Sequence, residues 1–453
     1  MKKSMQNTQK NINKIGPFAW PLALTAAALG AAFFVSTASM AQDAAAPAAA
    51  PAAEAPAAEA PALPPVDPIV QKGEYLARAG NCISCHTRPG GEPFAGGLAF
   101  SLPAPYTFLG QINSTNITPD PETGIGTWTE EQFIRAMHEG VAADGSHLLP
   151  AFPYTAFTLA SDEDVKAIYA YLKTVAPVKY EAPSNGIAFA MRWPMMFWNA
   201  LFFKEGRYQP DAKQSDEWNR GAYLVEGLGH CSACHTPRNL LLAERTDKKY
   251  SGGTQPDFVT EDKVRTWSAV NLTSAPSGLG GWSADQIAKY LKSGHSTKAG
   301  IFGPMNEVII NSLQHLTVED TKAMAVYIKS LPPIDDVPKQ TLTDEQKTAG
   351  EALYKKHCDE CHIASGRGAF MKAPPIAGSA IVQVAHPASL INSILYGAKV
   401  GKGSPAPFGA WEDMPSFATK MTDDEVATLS NFLRSNWGNK GGPVTAADVA
   451  KQR

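Results

Sequence analysis

The sequence predicts an all-α fold built from three tandem domains, and three observations support this prediction. The chain has 453 residues, which is too long for one compact core and suits about three domains of ordinary size. A Cys-x-x-Cys-His pentapeptide occurs three times, and no cysteine lies outside these pentapeptides. Each pentapeptide follows one amphipathic helix pattern, and a second helix pattern closes each repeat.

The cysteine pairs are best explained by covalent haem. They are Cys82 and Cys85 with His86, Cys231 and Cys234 with His235, and Cys358 and Cys361 with His362. Two residues between the cysteines make a helical turn that presents both sulfurs to one edge of a porphyrin, and the next residue places an imidazole under the iron. A redox dithiol is an alternative for one pentapeptide, and zinc would need a fourth ligand. Three pentapeptides of this one pattern predict three haem c groups, held by six thioether bonds and three axial histidines.

The helix patterns around the pentapeptides define the fold of each repeat. The opening patterns all place Gly second and begin at Lys72, Arg220 and Ala349. The closing patterns share a Ser or Thr N-cap before acidic residues and begin at Ser161, Thr317 and Thr422. An opening helix that carries the haem motif and packs on a closing helix is the class I cytochrome c arrangement. The chain is therefore predicted to contain three tandem class I cytochrome c-like domains.

Methionines in the loops before two closing helices are candidate sixth ligands of the haem irons. A Met opposite His raises the reduction potential of a haem, as an electron carrier requires. Met305 occupies this loop in the second repeat and Met414 occupies it in the third. An ordinary loop or core Met is the alternative for both, and Met421, directly before Thr422, competes with Met414.

The first repeat departs from this pattern because Phe152 stands where a Met is expected. Phe cannot ligate iron, so the first haem has either an open sixth position or a ligand from elsewhere. The candidates are Met137, His138, His147, Met191, Met195 and Met196. We favour Met195, which follows Pro194 in an aromatic segment.

Composition divides the rest of the chain. Residues 1–41 have a positively charged start, an apolar run and a small-x-small end, which together predict a cleaved signal peptide; an uncleaved anchor is the alternative. Residues 42–66 are almost wholly Ala and Pro and predict a tether. The other predicted parts are domain 1 at 67–180, an apolar interdomain segment at 181–213, domain 2 at 214–334, domain 3 at 335–437 and a C-terminal tail at 438–453.

The apolar stretch 187–203 has three possible roles. At this length, and with an internal Arg and Pro, it falls short of a membrane-spanning helix. It could lie on the bilayer surface, dock a partner subunit or join the domains as a core helix, and its aromatic side chains could also contact a quinone ring.

Charge and motifs exclude several function classes. Residues 1–41 contain four Lys and no Asp, Glu or Arg, so their removal takes the formal net charge from −3 to −7, which argues against nucleic acid binding. No Gly-x-Gly-x-x-Gly fingerprint opens a βαβ unit, and no further cysteine could hold an iron–sulfur or molybdenum centre.

The motifs outside the pentapeptides resemble the tri-haem cytochrome c subunit of bacterial membrane-bound dehydrogenases. The resemblance rests on residues 73–86, 94–97, 114–120, 124–128, 221–225 and 234–238, and it extends over nearly all of residues 67–437. That family serves quinohaemoprotein alcohol dehydrogenase, flavin-dependent gluconate, sorbitol and fructose dehydrogenases, and molybdenum-dependent aldehyde dehydrogenase. The sequence Pro-Ala-Phe-Pro-Tyr around Phe152 is more similar to the aldehyde dehydrogenase branch.

The resemblance implies an electron-transfer subunit without catalytic residues of its own. It implies covalent haem at the six cysteines, iron ligation by the three histidines, and Met305 and Met414 as further ligands. It also implies peripheral or anchored attachment at the periplasmic face of the inner membrane. There the chain would take electrons from a catalytic subunit of PQQ, flavin or molybdenum type and give them to ubiquinone.

Two other functions stay open at this stage. One is a multi-haem enzyme of peroxidase or thiosulfate-oxidising type, in which the first haem reacts and His138 or His147 supplies an acid or base. The other is a soluble shuttle cytochrome that feeds an oxidase, although the apolar stretch and the three-domain size argue against it.

Overall fold

The opening and closing helices of the three repeats pair in the same way. The computed structural model describes residues 67–103, 106, 110–185, 194–260, 263–370, 372–399 and 411–453. The predicted signal peptide and tether, and the Met191 candidate, lie outside these residues.

The elements of the first repeat and of the segment after it are α1 (Pro68–Ala79), α2 (Cys82–Cys85), β1 (Ala99–Ser101), β2 (Gln111–Asn113), α3 (Glu130–Glu139), α4 (Tyr154–Phe157), α5 (Asp162–Leu172) and α6 (Pro194–Phe202). Those of the second repeat are α7 (Asp216–Tyr223), a π-helical turn (Leu224–Leu228), α8 (Ser232–His235), a 3-10 turn (Thr246–Lys248), β3 (Gly253–Thr260), β4 (Lys263–Ala269), α9 (Ala284–Ser293), α10 (Met305–Asn311), a 3-10 turn (Leu313–His315) and α11 (Val318–Ser330). Those of the third are α12 (Asp344–His357), α13 (Asp359–His362), α14 (Ala380–Gln383), α15 (Ala388–Tyr396), α16 (Asp423–Ser435) and α17 (Ala446–Ala450).

Glycine allows the helices of each pair to cross at very short range. The opening helices α1, α7 and α12 pack on the closing helices α5, α11 and α16 respectively. A Cβ atom on Gly73 would lie 1.9 Å from the carbonyl oxygen of Ala167, and one on Gly221 would lie 1.9 Å from that of Ala323. Any larger residue would force the helices apart, so these two positions require glycine.

The closing helices begin at the residues that the sequence predicts. The Ser161 hydroxyl accepts a hydrogen bond from the backbone N–H of Asp164, and Thr317 accepts one from Asp320. Thr422 forms a reciprocal capping box with Glu425. Each cap satisfies backbone donors that the first helical turn leaves free, which fixes where the helix starts.

Two small antiparallel sheets accompany the helices, and the all-α prediction did not include them. Strand β1 pairs with β2, with Ala99 opposite Asn113, and β3 pairs with β4, with Gly253 opposite Ala269. The packed helices that the sequence predicts are otherwise present. Strand β1 is only three residues long, too short for an alternating pattern to be recognised.

The first two repeats share one apolar core, and the third has a core of its own. Ile168, Leu224 and Met324 belong to the shared core, whereas Leu395 and Val426 lie in that of the third repeat. The predicted tail at 438–453 contains α17, which packs on α16. Among the described residues, no helix is both long enough and apolar enough to cross a membrane.

Candidate functional site

Each Cys-x-x-Cys-His pentapeptide forms a short helical turn directly after its opening helix, at α2, α8 and α13. The residue before the first cysteine has a left-handed backbone in two repeats, with φ of 51° at Asn81 and 36° at His230. This conformation ends the opening helix and redirects the chain into the turn, so that the following imidazole lies beside the pair of thiols.

All three motif histidines are held by the same hydrogen bond. Nδ1 lies 2.7 Å from the carbonyl oxygen of Thr115 for His86, 2.7 Å from that of Val270 for His235, and 2.9 Å from that of Pro374 for His362. A carbonyl oxygen can only accept, so Nδ1 carries the proton in each ring. The lone pair is therefore on Nε2, the atom that would face a metal, and the carbonyl sets the orientation of the ring.

The electrostatics keep these imidazoles neutral. Burial lowers the pKa of His86, His235 and His362 below the usual histidine value, while the backbone hydrogen bond opposes part of this shift. A neutral imidazole is the form that binds iron. Nε2 of these rings makes no hydrogen bond within the described part of the chain, which leaves it available as a ligand.

Burial disfavours the thiolate form of the first cysteine in each motif. Burial raises the pKa of Cys82, Cys231 and Cys358 to about 12. A thioredoxin-type dithiol works through a lowered thiol pKa, so the redox-dithiol alternative has no support here. The six cysteines form no disulfide with one another, which leaves every sulfur free for a thioether bond.

The carbonyls that orient the histidines were not predicted from the sequence, although a repeated motif marks two of them. Thr115 and Val270 each precede an Asn-x-Thr sequence, which begins at Asn116 and Asn271. The Asn side chain accepts from the Thr backbone N–H two residues later and donates to a distant carbonyl, that of Val178 or Ile334. These bonds fix the loop whose carbonyl meets the histidine.

Of the two candidate methionine ligands, both predicted in loops, Met414 lies in a loop, whereas Met305 begins a helix. Met305 is the first residue of α10 and packs partly buried against the core of the first two repeats. Met414 is also partly buried, against the core of the third repeat, and its backbone N–H donates to the carbonyl of Ala398 at 3.0 Å. Met421 is 4% exposed and belongs to that core.

In the first repeat the corresponding loop is filled by aromatic side chains. The Phe152 ring packs edge-on against Phe157, with ring centroids 5.3 Å apart. Tyr154 is fully buried and donates its hydroxyl to the Asn199 side chain in α6, 2.6 Å away. Met195 precedes Asn199 by one helical turn, so the two share a face of α6, and Met195 is 8% exposed. The structure thus brings α6 against the loop that lacks a methionine.

The attachment sites of the first two repeats lie close together. The Phe157 ring contacts His230, directly before Cys231, with centroids 5.5 Å apart. In the opposite direction, Asn311 at the end of α10 donates to the Ser84 hydroxyl inside α2, 2.9 Å away. Each of these two repeats therefore places the end of one helix, α4 in the first and α10 in the second, against the haem-attachment turn of the other.

These residues fit haem c. Each repeat supplies two cysteines on one turn and a neutral imidazole with Nδ1 engaged and Nε2 free. Buried indole donors without partners, at Trp267, Trp282 and Trp411, are available within the described residues for acidic groups such as haem propionates. Haem supplies a one-electron iron couple when it is bound.

Comparison with known proteins agrees with this geometry. The family model described as "Cytochrome c" matches residues 70–176, and that described as "Cytochrome C oxidase, cbb3-type, subunit III" matches residues 345–433. The cytochrome c subunit of quinone alcohol dehydrogenase from Gluconacetobacter polyoxogenes is 39% identical, over 85% of this chain and 84% of that protein. The chain belongs to the family of dehydrogenase cytochrome c subunits.

Other members of this family serve different dehydrogenases. The gluconate 2-dehydrogenase cytochrome c subunit of Pantoea cypripedii is 39% identical, over 85% of this chain and 90% of that protein. The fructose dehydrogenase cytochrome subunit of Gluconobacter japonicus is 36% identical, over 85% and 82% respectively. Membership confirms the family and the electron-transfer role predicted from the sequence.

Proposed function

We propose that this cytochrome c subunit binds three haem c groups and conducts electrons from a catalytic dehydrogenase subunit to ubiquinone at the periplasmic face of the inner membrane. The observation that carries the proposal is the threefold recurrence of one arrangement, a Cys-x-x-Cys-His turn with the histidine Nδ1 bonded to a backbone carbonyl. The six cysteines would hold the porphyrins, and His86, His235 and His362 would be the proximal ligands.

The packing of the repeats supports conduction through the chain. Helix α4 of the first repeat contacts the attachment turn of the second through Phe157 and His230, and α10 of the second contacts that of the first through Asn311 and Ser84. The second and third repeats meet where Ser268 and Ser389 exchange hydrogen bonds, with the Ser268 backbone N–H 2.7 Å from the Ser389 hydroxyl. Contiguous repeats of this kind keep neighbouring redox centres close, as electron transfer between them requires.

Met305 and Met414 are proposed as sixth ligands in the second and third repeats, and Met195 in the first. The support for Met195 is its burial on the face of α6 that also binds Tyr154 through Asn199. The ligand of the first repeat would then come from the segment after its closing helix, which explains how Phe152 is tolerated.

The catalytic partner oxidises the substrate through its own cofactor, of PQQ, flavin or molybdenum type, and the chain described here contributes no catalytic residue. The relatives serve alcohol, gluconate and fructose dehydrogenases by name. We propose a primary alcohol or an aldehyde as the partner's substrate. The purified chain alone should not oxidise ethanol or acetaldehyde with a dye acceptor, and turnover by the chain alone would contradict the proposal.

Haem content tests the core of the proposal. Pyridine haemochrome spectra should give about three haems per chain for the parent and about two for the Cys358→Ser/Cys361→Ser variant. A parent value of about two would show that one motif is not loaded and would overturn the three-haem proposal.

Spectra with and without CO test the first sixth ligand. The parent should be fully low-spin and blind to CO, and Met195→Leu should open one haem to CO. Met196→Leu is the matched control, because this neighbour is 47% exposed whereas Met195 is buried. A parent that already binds CO would contradict Met195 ligation and would favour the alternative of a reactive first haem.

A further inference from the structure

The opening helix of the second repeat differs from the other two at one charged position. The seventh residue of the opening pattern is Arg78 in the first repeat and Lys355 in the third. The second repeat has Glu226 there, in the π-helical turn Leu224–Leu228 that precedes the haem motif. A single π-helical turn inserted in a helix frequently marks a functional site. The second repeat therefore carries an anion where the other two carry a cation.

Three side chains surround the Glu226 carboxylate and hold it in place. Its side chain is 15% exposed, and its two oxygens accept from the Tyr327 hydroxyl and from the Lys249 ammonium, which forms an ion pair with it. The ammonium also lies 5.3 Å from the centre of the Tyr250 ring, which is buried. Burial and then the Glu226 carboxylate raise the pKa of both tyrosines. The anion is thus fixed in position and largely removed from water.

This cluster is attached to the second haem motif from both sides. Glu226 precedes Cys231 by five positions. The chain continues from Lys249 to Gly252, whose backbone N–H donates to the carbonyl of His235 at 2.9 Å. Burial raises the pKa of the Cys231 thiol, and Glu226 adds more to this shift than Lys249 takes away. At the attachment turn, the field of the carboxylate is therefore stronger than that of its cationic partner.

We propose that Glu226 lowers the reduction potential of the haem held by Cys231 and Cys234. A haem gains one positive charge when its iron passes from ferrous to ferric, so a fixed anion nearby stabilises the oxidised state. Burial strengthens the effect, because charges removed from water are screened less. Glu226 acts here through space and is not a catalytic residue. It makes the second haem release its electron more readily than its axial ligands alone would.

This inference rests on the proposed function, because it requires a haem on the second motif. Mass spectrometry of proteolytic peptides shows whether Cys231 and Cys234 carry that haem in the parent. A parent without it contradicts the proposed function itself. A loaded parent whose potentials do not respond to Glu226 contradicts only the inference drawn here.

The experiment is a spectroelectrochemical redox titration of the purified full chain with its haems, at neutral pH. Glu226→Gln should favour the reduced form of one haem about tenfold at a given ambient potential, which corresponds to about 59 mV for a one-electron couple. Lys249→Gln removes the opposing cation, so it should move the potential of the same haem in the opposite direction. Glu217→Gln is the matched control, because it makes the same charge change on the exposed first turn of α7. It should leave all midpoint potentials as in the parent.

Removal of the other haems assigns the shift to the second repeat. The effect of Glu226→Gln should persist when Cys82→Ser/Cys85→Ser removes the first haem and when Cys358→Ser/Cys361→Ser removes the third. The third repeat has an apolar core of its own, so the loss of its haem should leave the first two repeats folded.

Three results would overturn the proposal. They are unchanged potentials in Glu226→Gln, a shift of the same sign in Glu226→Gln and Lys249→Gln, and an equal shift in Glu217→Gln. Shifts of the same sign would mean that loosened packing, and not charge, moves the potential. Circular dichroism shows whether each variant is folded. If Glu226→Gln does not fold, Lys249→Gln decides the question, because its side chain is 38% exposed and its expected shift has the opposite sign.

Discussion

Tyr75 and Tyr223 occupy equivalent positions in the opening helices of the first two repeats, and each donates its hydroxyl to a carboxylate in the other repeat. Tyr75 donates to Asp320 at 2.5 Å, and Tyr223 donates to Asp164 at 2.6 Å. Each hydroxyl also accepts the backbone N–H of the residue that caps the partner's closing helix, Thr317 or Ser161. The two repeats are thus joined by an approximately two-fold symmetric contact inside one chain.

Removing either hydroxyl should weaken this contact. Tyr75→Phe and Tyr223→Phe should each lower the free energy of unfolding by about 1.5–3 kcal/mol, because each removes a hydrogen bond to a buried charged carboxylate. Asp320 would keep its two bonds to Arg220, and Asp164 its ion pair with Lys72. Denaturant unfolding followed by circular dichroism and haem absorbance is the measurement.

The double variant tests whether the two repeats unfold as one body. It should separate one cooperative transition into two, whereas Tyr169→Phe, which loses a bond to the Trp128 carbonyl inside the first repeat, should not. Equal stability of parent and both single variants would show that the contact contributes nothing.

The helix crossings should be intolerant of any added side-chain atom. Gly73→Ala and Gly221→Ala would each place a Cβ 1.9 Å from a backbone oxygen that cannot move without its helix. The intrinsic helix preference for Ala is outweighed by this overlap, so we expect losses of about 1–3 kcal/mol or more. Gly281→Ala is the control, because its Cβ would meet no atom within 4 Å. Thermal unfolding of the two variants and of the control measures this loss. If Gly73→Ala and Gly221→Ala were as stable as the parent, the paired helices could move apart without cost.

Local chemistry explains what the sequence predicted well. The closing helices could be placed from their caps because Ser161, Thr317 and Thr422 act on the next few residues only. The three motif histidines could be singled out because the pentapeptide is itself local. Those features need no knowledge of the tertiary structure.

Contacts between distant residues explain what could not be predicted. Tyr75 and Asp320 are separated by 245 positions, and nothing near either residue marks the other as its partner. The same holds for α6, whose Asn199 reaches Tyr154 across 45 positions and brings Met195 with it. Pairing of this kind depends on how two closed repeats fit together, and a periodic pattern in one repeat carries no such information.

His138 should make the fold sensitive to acid. Its side chain is 1% exposed, and burial lowers its pKa to about 4; nearby Arg207 adds to this shift, while Asp162 and Glu139 oppose it. The unfolded chain, with a histidine pKa near 6.5, therefore takes up the proton first as the pH falls. The free energy of unfolding should decrease between about pH 6.5 and pH 4, by at most about 3 kcal/mol from this residue.

Urea unfolding at several pH values measures this dependence. His138→Phe should flatten the curve in that window, and His315→Gln, a change at an exposed histidine, should leave it as in the parent. A parent and a His138→Phe variant with parallel curves would show that another group controls the acid response.

The last prediction separates a ligand from a core residue in the third repeat. Met414 and Met421 lie seven positions apart and both contact the same apolar core, but only Met414 is partly exposed from it. Met414→Leu should remove the sulfur-to-iron charge-transfer band of one haem and lower its midpoint potential, because methionine ligation raises that potential. Met421→Leu conserves volume in a packed core, so it should cost less than about 1.5 kcal/mol of unfolding free energy and leave the spectrum unchanged.

Optical spectra with a redox titration identify the ligand, and thermal unfolding measures the effect on packing. If Met421→Leu removes the band while Met414→Leu keeps it, Met421 rather than Met414 is the ligand, and the iron would lie on the core side of the loop before α16.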